Sequence, residues 1–466
     1  MSRRWKILIL VSIGDFMAYL DAPVVSVAFP SIHNSYNHTS SATLAWVLDA
    51  YFIGFAAFLV IAGKLADRLG RRKLFIAGLW VLAAASLACA VAPSVGFLIV
   101  ARTLQAVGAA FVIPGGLGLM LAEFDETERK TAIGIIAAIV GLGVAASPTV
   151  GGVVVDLLSW RWIFYIGMGV VLCAAIFAYF VLERETLVDN GAGFPDRLGS
   201  VVQTVSLTLI VLAILKRSEW GTTDVRTLAA LIVGLVGLGV FVRRCFTHPS
   251  PLVDVDLFRN RTFAVANLSV LVFSVGFFAA TITSVFFMEG VWHYSVLQAG
   301  LTFAPGAATA AVVSGLAGKL AERHGPWTIS APGCAIAGVG LILIATRTGQ
   351  TPAFATEWVP GQLVYSVGVG LALTGLVGAA LTSVPADQFA LGSGVNAAIR
   401  QVGAALGVAI AIATVTNIFG GKVLAHCQTS LIICAIAMFV AGAIALGLRM
   451  VQMPLALSEV GLREAE

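Results

Sequence analysis

The sequence predicts an all-α integral membrane protein built as two related six-helix bundles with a helix pair inserted between them. Three observations carry that prediction. Of 466 residues, 59% are hydrophobic and only 11% charged, with a mean hydropathy of +0.96, too few polar side chains to cover a water-soluble globule of this size. The string Ala62-Gly63-Lys64-Leu65-Ala66-Asp67-Arg68-Leu69-Gly70-Arg71 returns 255 positions later as Ala317-Gly318-Lys319-Leu320-Ala321-Glu322-Arg323-His324-Gly325-Pro326. Such a charged, glycine-bounded turn, recurring between apolar runs, marks an internal duplication. The third observation is the sorting of basic residues between alternate loops.

In lipid each apolar run must be a helix, because its backbone N–H and C=O groups need partners within the segment, and the runs are too long and unalternating for a barrel. Fourteen spans are expected at roughly 7–30, 44–63, 74–93, 96–121, 130–156, 161–182, 199–215, 225–242, 263–288, 297–318, 327–346, 359–383, 391–419 and 430–449. With both termini in the cytoplasm, 20 of the 28 Lys and Arg residues fall inside, six outside, and Arg102 and Arg400 within spans. The first span follows a basic N-terminus, but its length and its two acids, Asp15 and Asp21, argue for a retained helix rather than a cleaved signal. The repeated string follows span two and then span ten. An offset of eight, where two bundles of six would give six, makes spans seven and eight the insertion. The expected division is therefore 1–183, 184–261 and 262–466.

Six cysteines give no exposed pair for a disulfide and read as packing residues. The basic residues are dispersed over short loops, which argues against nucleic-acid binding. The 49 glycines suit close helix contacts.

The residues that can carry chemistry are the charged ones inside spans, because a carboxylate there must be protonated, paired or facing water. Asp21 lies in an otherwise apolar part of span one, ~13 Å below its expected outer end, with Asp49 ~8 Å and Arg102 ~9 Å below theirs. If these helices share a cavity, Asp21 can exchange a proton between the two sides; the competing reading is a purely structural Asp21–Arg102 ion pair. Arg102 stays charged and can hold a nearby carboxylate ionised. Asp49 and Glu289, the latter closing span nine, are candidates to meet a cationic substrate, against a simpler reading as wetted helix-end acids. Asp15 lies about 240° around the helix from Asp21 and is open between a cavity-facing and a structural role, as is Arg400. Pro148, with Gly151 and Gly152, marks a bend in span five. The turn with Gly63, Asp67, Arg68, Gly70 and Arg71 either gates inter-bundle contacts or enforces topology; its duplication favours gating.

Together these motifs resemble the major facilitator superfamily, and within it the fourteen-span drug:proton antiporter branch. Gly63 to Arg72 looks like that family's loop motif, which stabilises the outward-facing state. Arg102, Gln105 and Gly108 match its fourth-span motif linked to proton transfer. Ser147-Pro148-Thr149-Val150-Gly151-Gly152 looks like the fifth-span antiporter motif. Asp21 aligns with the first-span acid, Trp46 to Tyr51 with the second-span pattern, and Trp160 to Phe164 with the start of the sixth. Pro23, Ser26, Ala106, Ser147, Glu289, His293 and Val296 depart from the usual residues, and the added acid at Glu289 leans toward cationic substrates.

The resemblance implies a proton-coupled exporter of amphipathic, cationic compounds in the plasma (inner) membrane, a monomer surrounded by lipid, needing no cofactor. Its alternative is a dedicated exporter of one metabolite, lipid or antibiotic. A membrane enzyme finds no support: there is no Walker A sequence, no Gly-x-Ser-x-Gly and no metal-ligand spacing.

Overall fold

The computed structural model describes residues 2–36, 39–124, 126–183, 196–248, 251, 253, 255–384, 389–415 and 423–463. All regular structure among them is helical. The N-terminal six are α1 (Arg3–Ser35), α2 (Ser41–Leu69), α3 (Arg71–Ala90), α4 (Val95–Glu123), α5 (Glu126–Leu157) and α6 (Trp160–Val181). Then come α7 (Arg197–Trp220), α8 (Val225–Thr247) and the single turn α9 (Asp256–Arg259). The remainder are α10 (Arg261–Gly290), α11 (Val296–Leu301), α12 (Ala304–His324), α13 (Trp327–Arg347), α14 (Val359–Thr382), α15 (Phe389–Val415) and α16 (Val423–Arg463). Each of the fourteen expected stretches falls on its own helix, except that the tenth is shared by α11 and α12. Eleven helices among the described residues are long and apolar enough to cross a membrane, and twelve if the two arms of α1, bent by 43° between Asp21 and Val24, form one span. In α2 and α5 the apolar part is shorter, Thr43–Leu59 and Ser147–Leu157.

Local chemistry sets the helix ends. Ser40, Ser94 and Asn260 accept hydrogen bonds from the first free N–H groups of α2, α4 and α10. Ser295 and Gln298 form a reciprocal capping box that starts α11, and Pro305 sits in the first turn of α12; α-helical bonding is interrupted between them at Thr302 and Phe303, while Val296–Ala321 remains one membrane-length stretch as expected. The repeated turn keeps its backbone in both copies. Gly70 (φ 93°) closes α2 and Gly325 (φ 84°) closes α12, each donating its N–H to the carbonyl four residues back, Ala66 and Ala321. That left-handed conformation is cheap only for glycine.

The N-terminal helices pack mainly as α3 on α4, α2 on α4, α1 on α5 and α3 on α6, and the C-terminal ones as α13 on α14, α10 on α15 and α16, and α12 on α14. The crossing of α3 with α4 and that of α13 with α14 are the corresponding steps of the duplication. Both depend on missing side chains: a Cβ at Gly108 would lie 2.5 Å from the Leu82 nitrogen, and one at Gly368 2.1 Å from that of Ala337. The inserted pair sits beside the seam: α8 packs on α7, and α7 packs on α2 and α15. Most of the outer face of α8, including Ile232, Val236 and Val240, is exposed as a lipid-facing helix requires.

Two end positions differ from the sequence expectation. α1 continues past Pro30 to Ser35, so Asp21 lies ~21 Å rather than ~13 Å below that end of the helix. Proline removes one hydrogen bond without obliging the helix to stop, and Trp160 donates its indole N–H to Ser35 Oγ (2.9 Å), fixing the extra turn. At the other end of the chain, α16 runs on to Arg463, past the expected end of the last span at 449.

Candidate coupling site

Arg102 is fully buried at the centre of the N-terminal helices. Helix α4 presents it to α1, where Arg102 Nη1 lies 2.9 Å from Asp21 Oδ2. The guanidinium also donates from Nη1 to Gln105 Oε1 (2.6 Å) and from Nε to the Val47 carbonyl of α2 (3.1 Å). Gln105 lies one turn along the same helix, on the same face. Its amide donates to Ser86 Oγ on α3 (2.9 Å), which donates to the Leu82 carbonyl. One cation thereby ties α1, α2, α3 and α4 together.

Two aromatic rings complete the shell. Arg102 sits 4.3 Å from the centroid of Tyr51 and 5.8 Å from that of Phe164, each an attraction of about 0.5–2 kcal/mol when desolvated. Tyr51 is itself fixed by donating its hydroxyl to the Ala18 carbonyl (2.8 Å). Arg102 Nη2 has no partner. Asp21 is 5% exposed, so the pair is closed to solvent. An ionised pair in such surroundings is costly to break from one side only, about 3–5 kcal/mol, because the remaining charge is stranded.

Of the residues predicted from sequence, the structure brings Asp21 and Arg102 into direct contact. Asp49 stays apart: it is fully buried on α2, neither carboxylate oxygen has a partner, and it does not reach Arg102. Glu289 stands near the end of α10, with Oε1 buried and unpaired. The sequence reading did not anticipate Tyr51, Phe164 or Ser86 around Arg102; of these only Tyr51 carried a signal, as a polar ring within an apolar run.

The gating candidates divide. Gly152 meets α11 face to face: a Cβ there would lie 2.8 Å from the Val296 carbonyl and 2.9 Å from Gly300 Cα. The reciprocal Cβ on Gly300 would lie 2.6 Å from the Pro148 carbonyl, and Thr149 Oγ1 donates to the Gly300 carbonyl (3.2 Å). Gly151 packs against Val24 of α1. Pro148 and Gly152 thus form a contact between the two halves, while Gly151 faces α1 within the N-terminal half. Arg71 donates to the Gly118 carbonyl (3.0 Å) and Arg72 to that of Leu182 (2.9 Å), both within the N-terminal helices. Gly63 has open space around it. The side chains of Asp67 and Arg68 lie outside the described residues.

Further contacts cross the seam: Phe52 meets Phe278 (5.2 Å between centroids), Phe29 meets Phe286 (5.8 Å), and Arg400 Nη2 donates to the Tyr19 hydroxyl (3.1 Å). An apolar crevice of about 500 Å³ lies between α1, α5 and α6, lined among others by Ser12, Phe16, Val150 and Ile163. It holds none of Asp21, Asp49 or Glu289.

A family model described as Major Facilitator Superfamily matches residues 11–408, so the chain belongs to this superfamily of membrane transporters. It is a multi-pass membrane transporter and not an enzyme. Among curated proteins it is 32% identical over 406 residues to "Multidrug resistance protein Stp" of Mycobacterium tuberculosis (strain CDC 1551 / Oshkosh), covering 86% of this chain and 74% of that one. It is 30% identical to "Puromycin resistance protein pur8" of Streptomyces alboniger, over 88% and 81% of the two chains. It is 27% identical to "Tetracenomycin C resistance and export protein" of Streptomyces glaucescens, over 88% and 75%. Among solved structures, an auto-inhibited POT family peptide transporter superposes with a TM-score of 0.70 at 19% identity, over 97% of this chain and 96% of that one. That last likeness is one of fold alone.

Proposed function

We propose that this chain is a proton-coupled exporter, exchanging protons for amphipathic, cationic compounds by alternating access, in the plasma membrane with both termini cytoplasmic. The observation that carries the reading is the buried Asp21–Arg102 pair. Within reach of Arg102 the carboxylate is held ionised; protonation cancels its charge and weakens the link between α1 and α4, so proton binding and helix position are coupled. The fixed charge of Arg102 then favours release of the proton once the helices return. Asp49 and Glu289, whose buried oxygens have no hydrogen-bond partner among the described residues, rest as neutral acids and ionise where they meet the cationic cargo. The Gly152–Gly300 contact is a seam that closes and parts during the cycle. The kinship with resistance proteins points the net flux outward.

The test is transport by purified protein in ATP-free proteoliposomes with an acidic lumen and ethidium outside. Ethidium is expected to accumulate inside, and a protonophore is expected to abolish the accumulation. Uptake that continues unchanged with protonophore refutes the coupling. The second reading, a dedicated exporter of one compound, draws on relatives whose names carry a single compound, puromycin and tetracenomycin C. A panel of structurally unrelated cations separates the two, since a dedicated exporter responds to one chemical class.

A further inference from the structure

Asp15 takes no part in the Asp21–Arg102 network. It is 3% exposed, its Oδ1 has no hydrogen-bond partner, and among the described residues no salt bridge reaches it. One turn further along α1, Tyr19 accepts the cross-seam hydrogen bond from Arg400 Nη2 on α15 (3.1 Å), with the guanidinium 5.5 Å from its ring centroid. The same ring packs edge-on against Phe55 of α2 (6.2 Å). Arg400 Nε is buried and unpaired, as is Ser12 Oγ three residues before Asp15. One helical turn from Asp15, this phenol therefore bridges α1 to α15 of the opposite half, and the carboxyl and the guanidinium each keep a buried polar atom with no hydrogen-bond partner among the described residues.

We propose that Asp15 is a second proton-binding carboxyl, separate from Asp21, whose occupancy is tied to the bundle seam through Tyr19 and Arg400. A buried carboxylate without a cation partner is best accommodated as the neutral acid. A proton also fits where a drug does not. Binding a small molecule takes a space of about 300 Å³ or more, and the crevice beside α1 includes Ser12 and Phe16 but not Asp15. Asp15 and Asp21 lie ~9 Å apart along α1, on either side of the helix midpoint, and Asp21 is paired with Arg102 where Asp15 is not.

The charges around Asp15 are few. Tyr19 is the titratable group beside it on α1, and Arg400 the cation across the seam. On α4, Arg102 is committed to Asp21; on α2, the Tyr51 hydroxyl is committed to the Ala18 carbonyl, and Asp49 is a second buried carboxyl with no hydrogen-bond partner among the described residues. The charged residues of α5, α6 and α10 stand near the ends of those helices, and α11 has none. When the halves separate, Arg400 leaves Tyr19 and moves away from Asp15 as well, so opening of the seam removes the nearest cation and favours the protonated carboxyl.

Two measurements test this, the second resting on the antiport reading. Infrared difference spectra of the purified full chain across a pH titration should show a neutral-carboxyl C=O band that is diminished in Asp15→Asn and retained at that position in Asp21→Asn. Tyr19→Phe, which deletes the bridge and keeps the carboxyl, should shift the pH midpoint of that band. In proteoliposomes, two protons exchanged per ethidium make transport electrogenic, so an inside-positive potential alone should drive uptake by the wild type. Asp15→Asn should lose that response while still responding to a pH gradient. An unaltered carboxyl band in Asp15→Asn, or potential-driven uptake equal to wild type, overturns the proposal. A wild type that ignores the pH gradient sinks the antiport reading instead, and the infrared result still decides the state of Asp15.

Discussion

In the N-terminal bundle the buried polar side chains include Asp15, Asp21, Asp49 and Arg102, whereas in the C-terminal bundle, among the described residues, they are hydroxyls and amides such as Asn267, Thr283, Gln362, Asn396 and Ser430. Between α10 and α15, the counterparts of α1 and α5, Asn396 Nδ2 donates to Asn267 Oδ1 (3.0 Å), and Asn267 Nδ2 in turn donates to the Phe263 carbonyl (2.8 Å). Thr283 and Ser430 share a hydrogen bond of 2.7 Å between α10 and α16. These groups do not change charge near neutral pH. A duplicated backbone plan has thus been filled with two chemistries: one half buries charged groups deep among its helices, and the other has a neutral interior, with its acid, Glu289, near the end of α10.

The largest expected effect breaks the charged side of this contrast. Arg102→Ala strands Asp21 and removes the tie among four helices, so we expect a loss of about 3–5 kcal/mol, read as a marked fall in thermal unfolding temperature of the solubilised protein, together with lost transport. Asn396→Ala in the neutral frame should cost only about 1 kcal/mol. Equal losses would erase the distinction between the bundles.

A second comparison concerns the seam. Gly300→Ala places its Cβ against backbone atoms of Pro148 and Gly152, where nothing can rotate away, so severalfold slower efflux is expected at near-normal expression. Gly63→Ala, in open space, should be tolerated in folding. Wild-type flux in Gly300→Ala would show that this contact is not part of the moving seam.

The repeated turns allow a finer test. Gly70→Ala and Gly325→Ala both force a Cβ into the left-handed region and should each cost about 1–2 kcal/mol. Only the first copy carries Arg71 and Arg72, which clamp α4 and the end of α6; the second has Pro326 and Trp327. Gly70→Ala should therefore reduce transport more than Gly325→Ala at matched stability. Identical flux in the two variants would make the turn a topological device only.

The smallest effect lies at the inserted pair. Asp196 caps α7 through the Gly199 N–H (2.8 Å) and is held by Arg244 of α8 at 2.8 and 2.9 Å. The Arg244 hydrogen bonds, with lesser help from the cap, keep its carboxyl below the usual carboxylate range. Its contribution is complete above the unfolded pKa of about 4 and fades as pH falls through the lower folded value. Asp196→Ala should cost about 1 kcal/mol at pH 7, and the gap to wild type should narrow in acid. A gap that is independent of pH would remove the charge from the account.

Much of this was legible in the sequence because hydropathy reports the solvent. The weakly marked stretches at 199–215 and 225–242 became α7 and α8 with starts within a few residues of those expected. The Asp21–Arg102 contact was legible too, since two opposite charges buried in neighbouring apolar spans have few ways to be satisfied. Helix ends were less legible. Pro30 looked like a terminus, yet helical hydrogen bonding runs past it to Ser35; the split at Phe303 depended on a capping box and a proline rather than on hydropathy. The contact of Tyr19 with Arg400 was hidden because its partners are 381 residues apart on different halves. No local pattern encodes such a contact; it arises only once the halves pack.

The central claim is that the Asp21 carboxyl carries the coupled proton, and it is tested most directly by ethidium uptake into proteoliposomes under an imposed pH gradient, comparing wild type with Asp21→Asn at equal reconstitution. Gradient-driven uptake by the wild type and none by the variant is the expected result. Equal gradient-driven uptake by both would contradict it.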